Sequence, residues 1–513
     1  HDGFISFIIA FCLVLLYMIF YYGLIPGIIA DIALLCNVFL LLGILASFNA
    51  VLTLSGIAGI VLTMGMAVDA NVLIYERIRE EMAAGKLMKK AIQDGYSNAI
   101  SAIIDANVTT FLTGVVLAVF GTGPIRGFAV TLMIGIVSSF LTAVFISRLL
   151  LERYAESKKA KELPFTTAIT KKWFRGLNIN FIGKRFWGYG ISGALIIISI
   201  LGLIPGALQS ELNFGIDFSG GRNYIVRFAE PVNTQDVKAS LDDVFKASLE
   251  DNETYSLNVI TIGSENQVRI STNFGIHNDS EDFEDQIEAM IYEGCKPFLA
   301  DDVTPERFLS TQVDDTIGIM QSQKVGPSIA DDIKTSAVWS IIIALIIIAL
   351  YIFIRFRNFS FSIGALAGLA HDTVIILGMY ALLWKIMPFS MEIDQSFIAA
   401  ILTIIGYSIN DTVVVFDRIR EYNTLYPKRD RRSKINEALN ATLSRTFSTS
   451  MSTFVVLLAI FIFGGETIRG FVFALMLGVI IGTYSTLFIA VPLAYDIQEA
   501  IAKRKAKKAA LKK

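Results

Sequence analysis

Residues 406–421 read GYSINDTVVVFDRIRE, an apolar helical run that contains a carboxylate, Asp411. On a helix, Asp411 lies about 10 Å before Arg418, where the chain can first place a guanidinium in water. A charge at the centre of a bilayer costs at least ~2.5 kcal/mol, so such groups face the interior of a helix bundle and usually have a partner. The stretch therefore predicts a membrane-spanning helix packed among other helices.

The composition of the chain is that of a membrane protein. Of its 513 residues, 54% are hydrophobic and 18% are charged, and the mean hydropathy is +0.59. These values argue against a large soluble enzyme. Runs of roughly 20 apolar residues, long enough to cross a bilayer core of about 30 Å, recur along the chain. We predict eleven spans, at residues 4–22, 26–47, 53–75, 98–120, 126–150, 186–206, 336–356, 360–384, 395–417, 444–464 and 468–497.

The distribution of basic residues predicts the orientation of these spans. Lys and Arg are concentrated after spans three, five, seven and nine and in the C-terminal tail. Because short cytoplasmic loops carry such an excess, we predict an N-terminus outside and a C-terminus in the cytoplasm. The long polar segment 207–335 then falls on the outer side of the membrane.

The polar segment 207–335 has the pattern of a small α+β domain. Its strand-like runs are NYIVRF, LNVITIG and QVRISTNF. Amphipathic helices are predicted at TQDVKASLDDVFKASL and SEDFEDQIEAMIYEG. The resulting order β-α-β-β-α-β is that of a ferredoxin-like domain.

The membrane part of the chain is duplicated. GMAVDANVLIYERIREE (65–81) matches the opening stretch, and GTGPIRGFAVTLMIG (121–135) matches GGETIRGFVFALMLG (464–478). NVFLLLG (37–43) matches DTVIILG (372–378) in the same order. We predict two homologous halves, of which the second has an additional first helix and the outer domain. Parallel repeats of this kind are a transporter architecture.

Ionisable residues inside the predicted spans form the candidate site. Asp69 lies in the first-half copy of the opening stretch, and Arg445 lies early in the span after Asp411. Because these last two spans run in opposite directions, an Asp411–Arg445 pair is predicted. Alignment through Ile-Arg-Gly-Phe puts Ala102 opposite Arg445, so only one half supplies the cation. A carboxylate between water and an arginine can couple its protonation to helix packing, as proton-driven motion requires.

Other polar residues inside the spans are further candidates for a proton relay: Asn71, Asp105, Asn107, His371 and Asp372. For each candidate, a hydrogen-bonded pin between helices is the open alternative. The chain offers no nucleophile–base set and no metal-ligand cluster, and the glycine-rich GIDFSGG (215–221) lacks the context of a phosphate loop. We therefore predict no enzyme activity, no cofactor, no metal and no nucleic-acid partner.

Several long motifs resemble one known family. VDANVLIYERIREE in the first half resembles the fourth-helix motif of SecD. FGIDFSGG, VGPSIADDIKTSA, AHDTVIILG and SINDTVVVFDRIRE resemble signatures of SecF. The chain is thus similar, over nearly its whole length, to the fused form of the SecD/SecF family within the RND superfamily. The resemblance implies a polytopic α-helical membrane protein with two pseudo-symmetric RND-type helix bundles, about eleven transmembrane helices and a small α+β ferredoxin-like periplasmic domain.

The resemblance also implies a function and partners. The family uses the proton-motive force to assist late stages of protein export across the bacterial inner membrane. A fourth-helix Asp in each half and a fifth-helix Arg in the SecF half carry over to Asp69, Asp411 and Arg445. The implied partners are the SecYEG translocon, a SecA-dependent preprotein, protons and the lipid bilayer, with YajC and YidC as further candidates.

The resemblance predicts the division of the chain. The expected segments are a SecD-like half with helices two to six (1–150), a basic cytoplasmic linker (151–185), the first SecF-like helix (186–206), the periplasmic domain (207–335), SecF-like helices two to six (336–497) and a basic tail (498–513). A full SecD half would begin with one more helix and a large periplasmic domain, which we expect to be absent here.

Two other functions remain open from the sequence. An RND exporter of small molecules or lipids is the nearest alternative, although it would need two sizeable external domains and only one modest domain is evident. A scaffold that stabilises the translocon without using protons is the second. Both differ from the leading hypothesis in what a substitution of Asp411 would do.

Overall fold

The structure, a computed structural model, is mostly helical with one small sheet. It describes residues 2–48, 54–121, 123–157, 163–174, 176–204, 212–248, 255–262, 264–276, 278, 281–310 and 317–511. The long helices pack into one bundle, and the sheet lies beside the end of that bundle where residues 384–392 connect two helices.

The first half of the bundle consists of antiparallel helices joined by short connections. These are α1 (Asp2–Tyr22), α2 (Leu24–Ser47), α3 (Leu54–Ala83), α4 (Met88–Phe120), α5 (Gly123–Leu141), a π-helix (Thr142–Ile146) and α6 (Ser147–Glu156). A 3-10 turn (Thr170–Lys172) and α7 (Arg185–Leu203) lead from this half to the small domain.

The small domain has the order of elements predicted from the sequence. Its elements are α8 (Ile216–Ser219), β1 (Gly221–Arg227), α9 (Thr234–Ala247), β2 (Leu257–Ile262), β3 (Ser264–Thr272), α10 (Glu281–Cys295), a 3-10 turn (Lys296–Phe298), α11 (Pro305–Leu309) and β4 (Gly318–Val325). The strands lie in the order β2-β3-β1-β4, and every neighbouring pair is antiparallel. This is the ferredoxin-like arrangement.

A compact apolar core joins the two long helices of the domain to its sheet. Val226 and Ile270 from the strands and Leu241 and Ile287 from the helices are all fully buried. No apolar run in the sequence had located β4, because the middle of this strand, GIMQSQKV, is polar and exposed.

The second half of the bundle follows β4. Its helices are α12 (Pro327–Phe356), α13 (Phe359–Leu383), α14 (Gln395–Leu425), α15 (Arg431–Phe463), α16 (Glu466–Ser485), a π-helix (Thr486–Ala490) and α17 (Val491–Ala510). The two π-helices supply independent support for the duplication, because they interrupt the last span of each half at positions that match to within one residue.

A helix lies in each of the eleven predicted spans, over the residues that the structure describes. In that part of the chain, nine helices are long and apolar enough to cross a membrane. The polytopic helical fold with a small α+β domain is therefore confirmed. Several helices are longer than their predicted spans. Among them, α3 and α14 continue through the Arg-Ile-Arg-Glu motifs, where ion pairs three residues apart support the helix.

Helix α14, which carries the opening stretch, is the central helix of the bundle. Every residue from Phe397 to Ile419 is buried. At its N-terminus the carboxylate of Asp394 accepts a hydrogen bond from the backbone N–H of Phe397 at 2.8 Å, which caps the helix. Because α14 has no lipid-facing side over these turns, its polar residues must find partners among neighbouring helices.

Candidate functional site

Three of the predicted site residues meet in the middle of the bundle. Arg445 on α15 donates from Nη1 to Oδ1 of Asp411 on α14, over 2.7 Å. The Nη2 of the same guanidinium lies 3.0 and 3.1 Å from the two carboxylate oxygens of Asp69 on α3. All three side chains are buried. One arginine from the second half is therefore shared by carboxylates from both halves.

A fourth residue, Asn410, completes this cluster. Its amide nitrogen donates to Oδ2 of Asp69, and its amide oxygen lies 3.4 Å from Nη2 of Arg445. The repeat alignment puts Asn410 opposite Asp69, so matching positions of the two halves touch each other. The sequence analysis did not select Asn410, although that alignment was a signal that could have found it. We call Asp69, Asn410, Asp411 and Arg445 the central cluster.

The charges of the central cluster do not balance when both carboxylates are ionised. Two carboxylates and one guanidinium leave a net charge of −1 in a buried place, and like charges that share a site disfavour double ionisation. Binding of a single proton by either Asp69 or Asp411 makes the cluster neutral. The arrangement can therefore store one proton at low electrostatic cost.

The two predicted asparagines lie near the central cluster without bonding to it. The side chain of Asn107 donates to the carbonyl oxygen of Ile103 in its own helix, at 2.9 Å. Asn107 also lines a cavity of about 20 Å³ that reaches Asp69 and Arg445. Asn71 is buried, and its amide oxygen has no hydrogen-bond partner in the described part of the chain.

Asp105 belongs to a different contact between the halves. It accepts hydrogen bonds at Oδ1 from Nε of Arg355, at 2.6 Å, and from the hydroxyl of Tyr351, at 2.8 Å, both on α12. The face of α4 that reaches the central cluster carries Ile103 and Asn107. Asp105 is rotated by about 200° from Ile103, which turns it away from the cluster.

His371 and Asp372 form a separate buried network inside the second half. Nδ1 of His371 lies 2.9 Å from Oδ1 of Asp372, and Nε2 lies 3.1 Å from the hydroxyl of Ser192 on α7. The other carboxylate oxygen of Asp372 accepts from Ser408 at 2.7 Å and from Ser485 at 2.9 Å. This network joins α7, α13, α14 and α16, and it bonds to α14 three residues before Asp411. A relay role for these two residues stays a prediction.

A larger cavity lies between the central cluster and the end of the bundle that carries the sheet. It measures about 310 Å³ and is lined by α4, α12 and the first turns of α14. A narrow contact separates it from the cavity beside Asp69: the hydroxyl of Thr110 donates to the carbonyl oxygen of Gly406 at 3.0 Å. A methyl group on Gly406 would lie 2.4 Å from the hydroxyl oxygen of Thr113, so the two halves touch closely here.

The small domain is joined to the first turn of α14. The carboxylate of Asp217 accepts from the backbone N–H of Gln395 at 3.2 Å, and burial raises the pKa of Asp217. Arg269 on β3 forms an ion pair with Glu392 at 3.0 Å. A displacement of α14 along its axis would therefore move a point of attachment of the small domain.

The small domain also contains an internal ion pair, on the face of the sheet opposite to Arg269. Arg222, fully buried on β1, makes a bidentate contact with Glu284 on α10, with nitrogen–oxygen distances of 2.7 and 2.9 Å. These hydrogen bonds, with Lys324 nearby, lower the pKa of Glu284 to about 2. Among the described residues, no group of three or more His, Cys, Asp or Glu side chains is placed to hold a metal ion.

Comparison with known families gives two matches. The profile described as protein export membrane protein SecD/SecF, C-terminal, matches residues 1–157 and 307–500. The profile described as the SecD/SecF GG motif matches residues 210–232. The second match covers the glycine-rich stretch from which the sequence had excluded a phosphate loop.

Whole-chain comparisons point the same way. The chain is 33% identical over 507 residues to the protein translocase subunit SecDF of Bacillus subtilis, covering 96% of this chain and 63% of that protein. It is 38% identical over 333 residues to the protein translocase subunit SecF of Rhodothermus marinus, covering 65% of this chain and 97% of that protein. The crystal structure of SecDF, a translocon-associated membrane protein from Thermus thermophilus, aligns with a TM-score of 0.80 at 31% identity, over 97% of this chain and 62% of that one. The chain therefore spans about 63% of the length of the Bacillus subtilis relative.

Proposed function

Because the chain belongs to the SecD/SecF family of protein export membrane proteins, we propose that it is an accessory subunit of Sec protein translocation driven by the proton-motive force. The observation that carries the proposal is the shared guanidinium. Arg445 bonds at once to Asp411 of its own half and to Asp69 of the other half. A proton that binds either carboxylate weakens one of these two bonds selectively.

The proposed cycle has two states that differ in protonation. When Asp69 is protonated, Arg445 retains only its ion pair with Asp411 of its own half, and the attraction between the halves falls. With both carboxylates ionised, Arg445 holds α3 and α14 together. A proton therefore alters the packing of the two halves because it changes which buried charges must stay paired. The cavity of about 310 Å³ supports entry of protons from the sheet end.

The proposed movement reaches the small domain through α14. This helix carries Asp411 at its centre. Its first turn is attached to the domain by Asp217, and the segment just before it is attached by the Glu392–Arg269 pair. We propose that the domain moves with α14 and so promotes export of the preprotein. The roles that the sequence analysis assigned to Asn71, Asp105, Asn107, His371 and Asp372 remain proposals, with Asp105 acting at the separate contact with Arg355.

We further propose the location and partners of the protein. It is a multi-pass protein of the bacterial inner membrane, with its C-terminus in the cytoplasm and residues 207–335 in the periplasm. The asymmetric distribution of Lys and Arg supports this orientation. The proposed partners are SecYEG and the preprotein that SecA delivers, with YajC and YidC as additional associates.

Replacement of Asp411 by Asn tests the coupling. The change keeps the shape of the side chain and removes its charge. In inner-membrane vesicles, we expect D411N to abolish the part of preprotein export that depends on a proton gradient, while export driven by ATP alone persists. The matched control is Asp302→Asn, the same chemical change at a carboxylate that is 72% exposed in the small domain.

The control variant is expected to export at the wild-type rate with the same dependence on the gradient. If correctly inserted D411N keeps the full gradient-dependent rate, the shared guanidinium does not couple protons to export. The scaffold hypothesis would then be the better account.

A further inference from the structure

The two Arg-Ile-Arg-Glu motifs meet at the end of the bundle opposite the sheet. Arg77 on α3 forms an ion pair with Glu421 on α14 at 3.0 Å, and Arg418 on α14 forms an ion pair with Glu80 on α3. Each arginine also bonds to the glutamate of its own motif at 3.1 Å. We call Arg77, Glu80, Arg418 and Glu421 the RIRE ring.

The RIRE ring obeys the symmetry of the repeat. Arg77 and Arg418 occupy matching positions of the two copies, and so do Glu80 and Glu421. The second arginine of each motif behaves differently, because Arg79 and Arg420 pair with an acidic residue three positions earlier in their own helix. The first arginine and the glutamate of each motif therefore form ion pairs between the halves, whereas Arg79 contributes a hydrogen bond to Ser444 on α15 at 3.2 Å.

Cavities lie on both sides of the RIRE ring. On the inner side, a cavity of about 20 Å³ is lined by Arg445 of the central cluster and by three members of the ring, Arg77, Glu80 and Arg418. On the outer side, an open cavity of about 460 Å³ is lined by Glu80, Arg418 and Glu421. The ring is thus the layer between the central cluster and the surface at this end.

The inner cavity is suited to carry water between the two groups of charges. Its walls include Arg445 and Arg418, and the Nε–H of each is buried without a hydrogen-bond partner in the described part of the chain. A polar cavity holds a water molecule once it offers about 10–15 Å³, so this one has room for one. Glu80 and Arg418 of the ring line both cavities, together with Glu76 and Ala441, so these side chains lie between the central cluster and the outer cavity.

We propose that the RIRE ring is a gate at the inner mouth of the proton path, closed by its two cross-half ion pairs and opened when α3 and α14 separate. The proposal rests on the proposed function for its role in proton release. The ion pairs within each motif stay intact as the gate opens, so each charge keeps one partner. The gate is thereby able to open without leaving an arginine or a glutamate unpaired.

Thiol labelling tests the gate independently of proton coupling. Ala102 lines the inner cavity and is buried, so Ala102→Cys reports access to it once Cys12, Cys36 and Cys295 are replaced by Ser. Inverted membrane vesicles expose the RIRE end to 2-sulfonatoethyl methanethiosulfonate, a small anionic reagent. We expect the double change E80Q/E421Q to speed labelling about tenfold, which corresponds to about 1.4 kcal/mol, as suits two partly exposed ion pairs.

Two further variants identify the cause. Arg420→Gln removes a pair that stays within α14, and it should label at the rate of the intact ring. The fully reversed ring, R77E/E80R/R418E/E421R, rebuilds every pair with opposite polarity and should return labelling toward that rate. An unchanged rate in E80Q/E421Q would overturn the gate. A reversed ring that labels as fast as the neutralised one would overturn it as well.

A proton-leak measurement separates the gate from the proposed function. In vesicles with an imposed potential, E80Q/E421Q should leak protons faster than the intact ring, and adding D411N should suppress that leak. If the leak persists in the D411N background, the leaking protons do not cross the membrane through the central cluster, and the gate is contradicted. If labelling responds to the ring while D411N leaves gradient-driven export intact, the gate stands and the proposed function fails.

Discussion

Replacement of Arg445 by Gln should destabilise the protein through charge rather than through packing. The guanidinium makes four hydrogen bonds within the central cluster, to Asp411, to both oxygens of Asp69 and to Asn410. Its removal leaves two buried carboxylates without a counter-ion. Breaking a buried ion pair from one side costs about 3–5 kcal/mol, because the remaining charge is uncompensated.

The assay is thermal unfolding of the purified protein in one detergent at pH 7. For a chain of this size, the expected cost corresponds to a fall in Tm of about 5 °C. The triple variant D69N/D411N/R445Q removes the carboxylate charges together with the arginine. Its fall in Tm should be less than about half of the fall in R445Q, because no buried charge remains unpaired.

Acidification supplies the second arm of this experiment. Added protons neutralise unpaired carboxylates, so the Tm of R445Q should rise toward that of the triple variant on acidification. The triple variant has neither carboxylate and should not respond in this way. If R445Q and the triple variant unfold at the same temperature at pH 7, the role of Arg445 is steric and the charge argument is refuted.

Three other outcomes are expected. Arg222 holds the pKa of Glu284 at about 2, below the ordinary value of 4.5. The Glu284 carboxylate therefore stabilises the small domain fully above about pH 4.5, and this stabilisation is lost as the pH falls toward 2. Pulsed hydrogen exchange on β1 should show the loss in the wild type and a much smaller loss in Glu284→Gln. Gly406→Val should lower Tm by overpacking the contact between the halves, at a cost of about 1–3 kcal/mol, whereas wild-type stability in this variant would mean that the contact is loose. Arg355→Gln should lower Tm, because it leaves the buried carboxylate of Asp105 without its cation, and adding Asp105→Asn should restore most of the lost Tm. If the second change does not restore Tm, the pair has no electrostatic role.

Much of the central cluster could be predicted from the sequence because buried charge is so costly. Asp69, Asp411 and Arg445 stand in apolar helices where solvent cannot compensate them, so only a partner inside the bundle can. The opposite directions of consecutive spans then indicated Arg445 as the partner of Asp411. The repeated segments separately predicted a bundle of two halves.

Predicting which side of a helix each polar residue faces was harder. Asp105 was predicted as a candidate for the proton relay, and the structure pairs it with Arg355 on α12. Its helix, α4, turns a different face toward the cluster. This helix is also apolar on several sides, because it contacts both lipid and protein. Hydrophobic periodicity therefore carried too little information to fix its rotation. Asn410 was missed although the repeat alignment places it opposite Asp69.

The RIRE ring shows a further limit of sequence reasoning. Charged residues at the end of a span were interpreted as a mark of the membrane boundary, and four of them make contacts between the halves. The same residue types mark a membrane boundary and form contacts between helices. The two roles can be distinguished only from the structure, in which α3 lies beside α14.

The distribution of charges in the central cluster also governs how halves can combine. Two first-type halves would bring together two copies of Asp69 with no cation, whereas two second-type halves would supply two copies of both Asp411 and Arg445. Only the mixed pairing places one guanidinium between two carboxylates. The charges of the cluster therefore disfavour a homodimer of first-type halves, whose carboxylates would have no counter-ion, and favour the pairing of one half of each type.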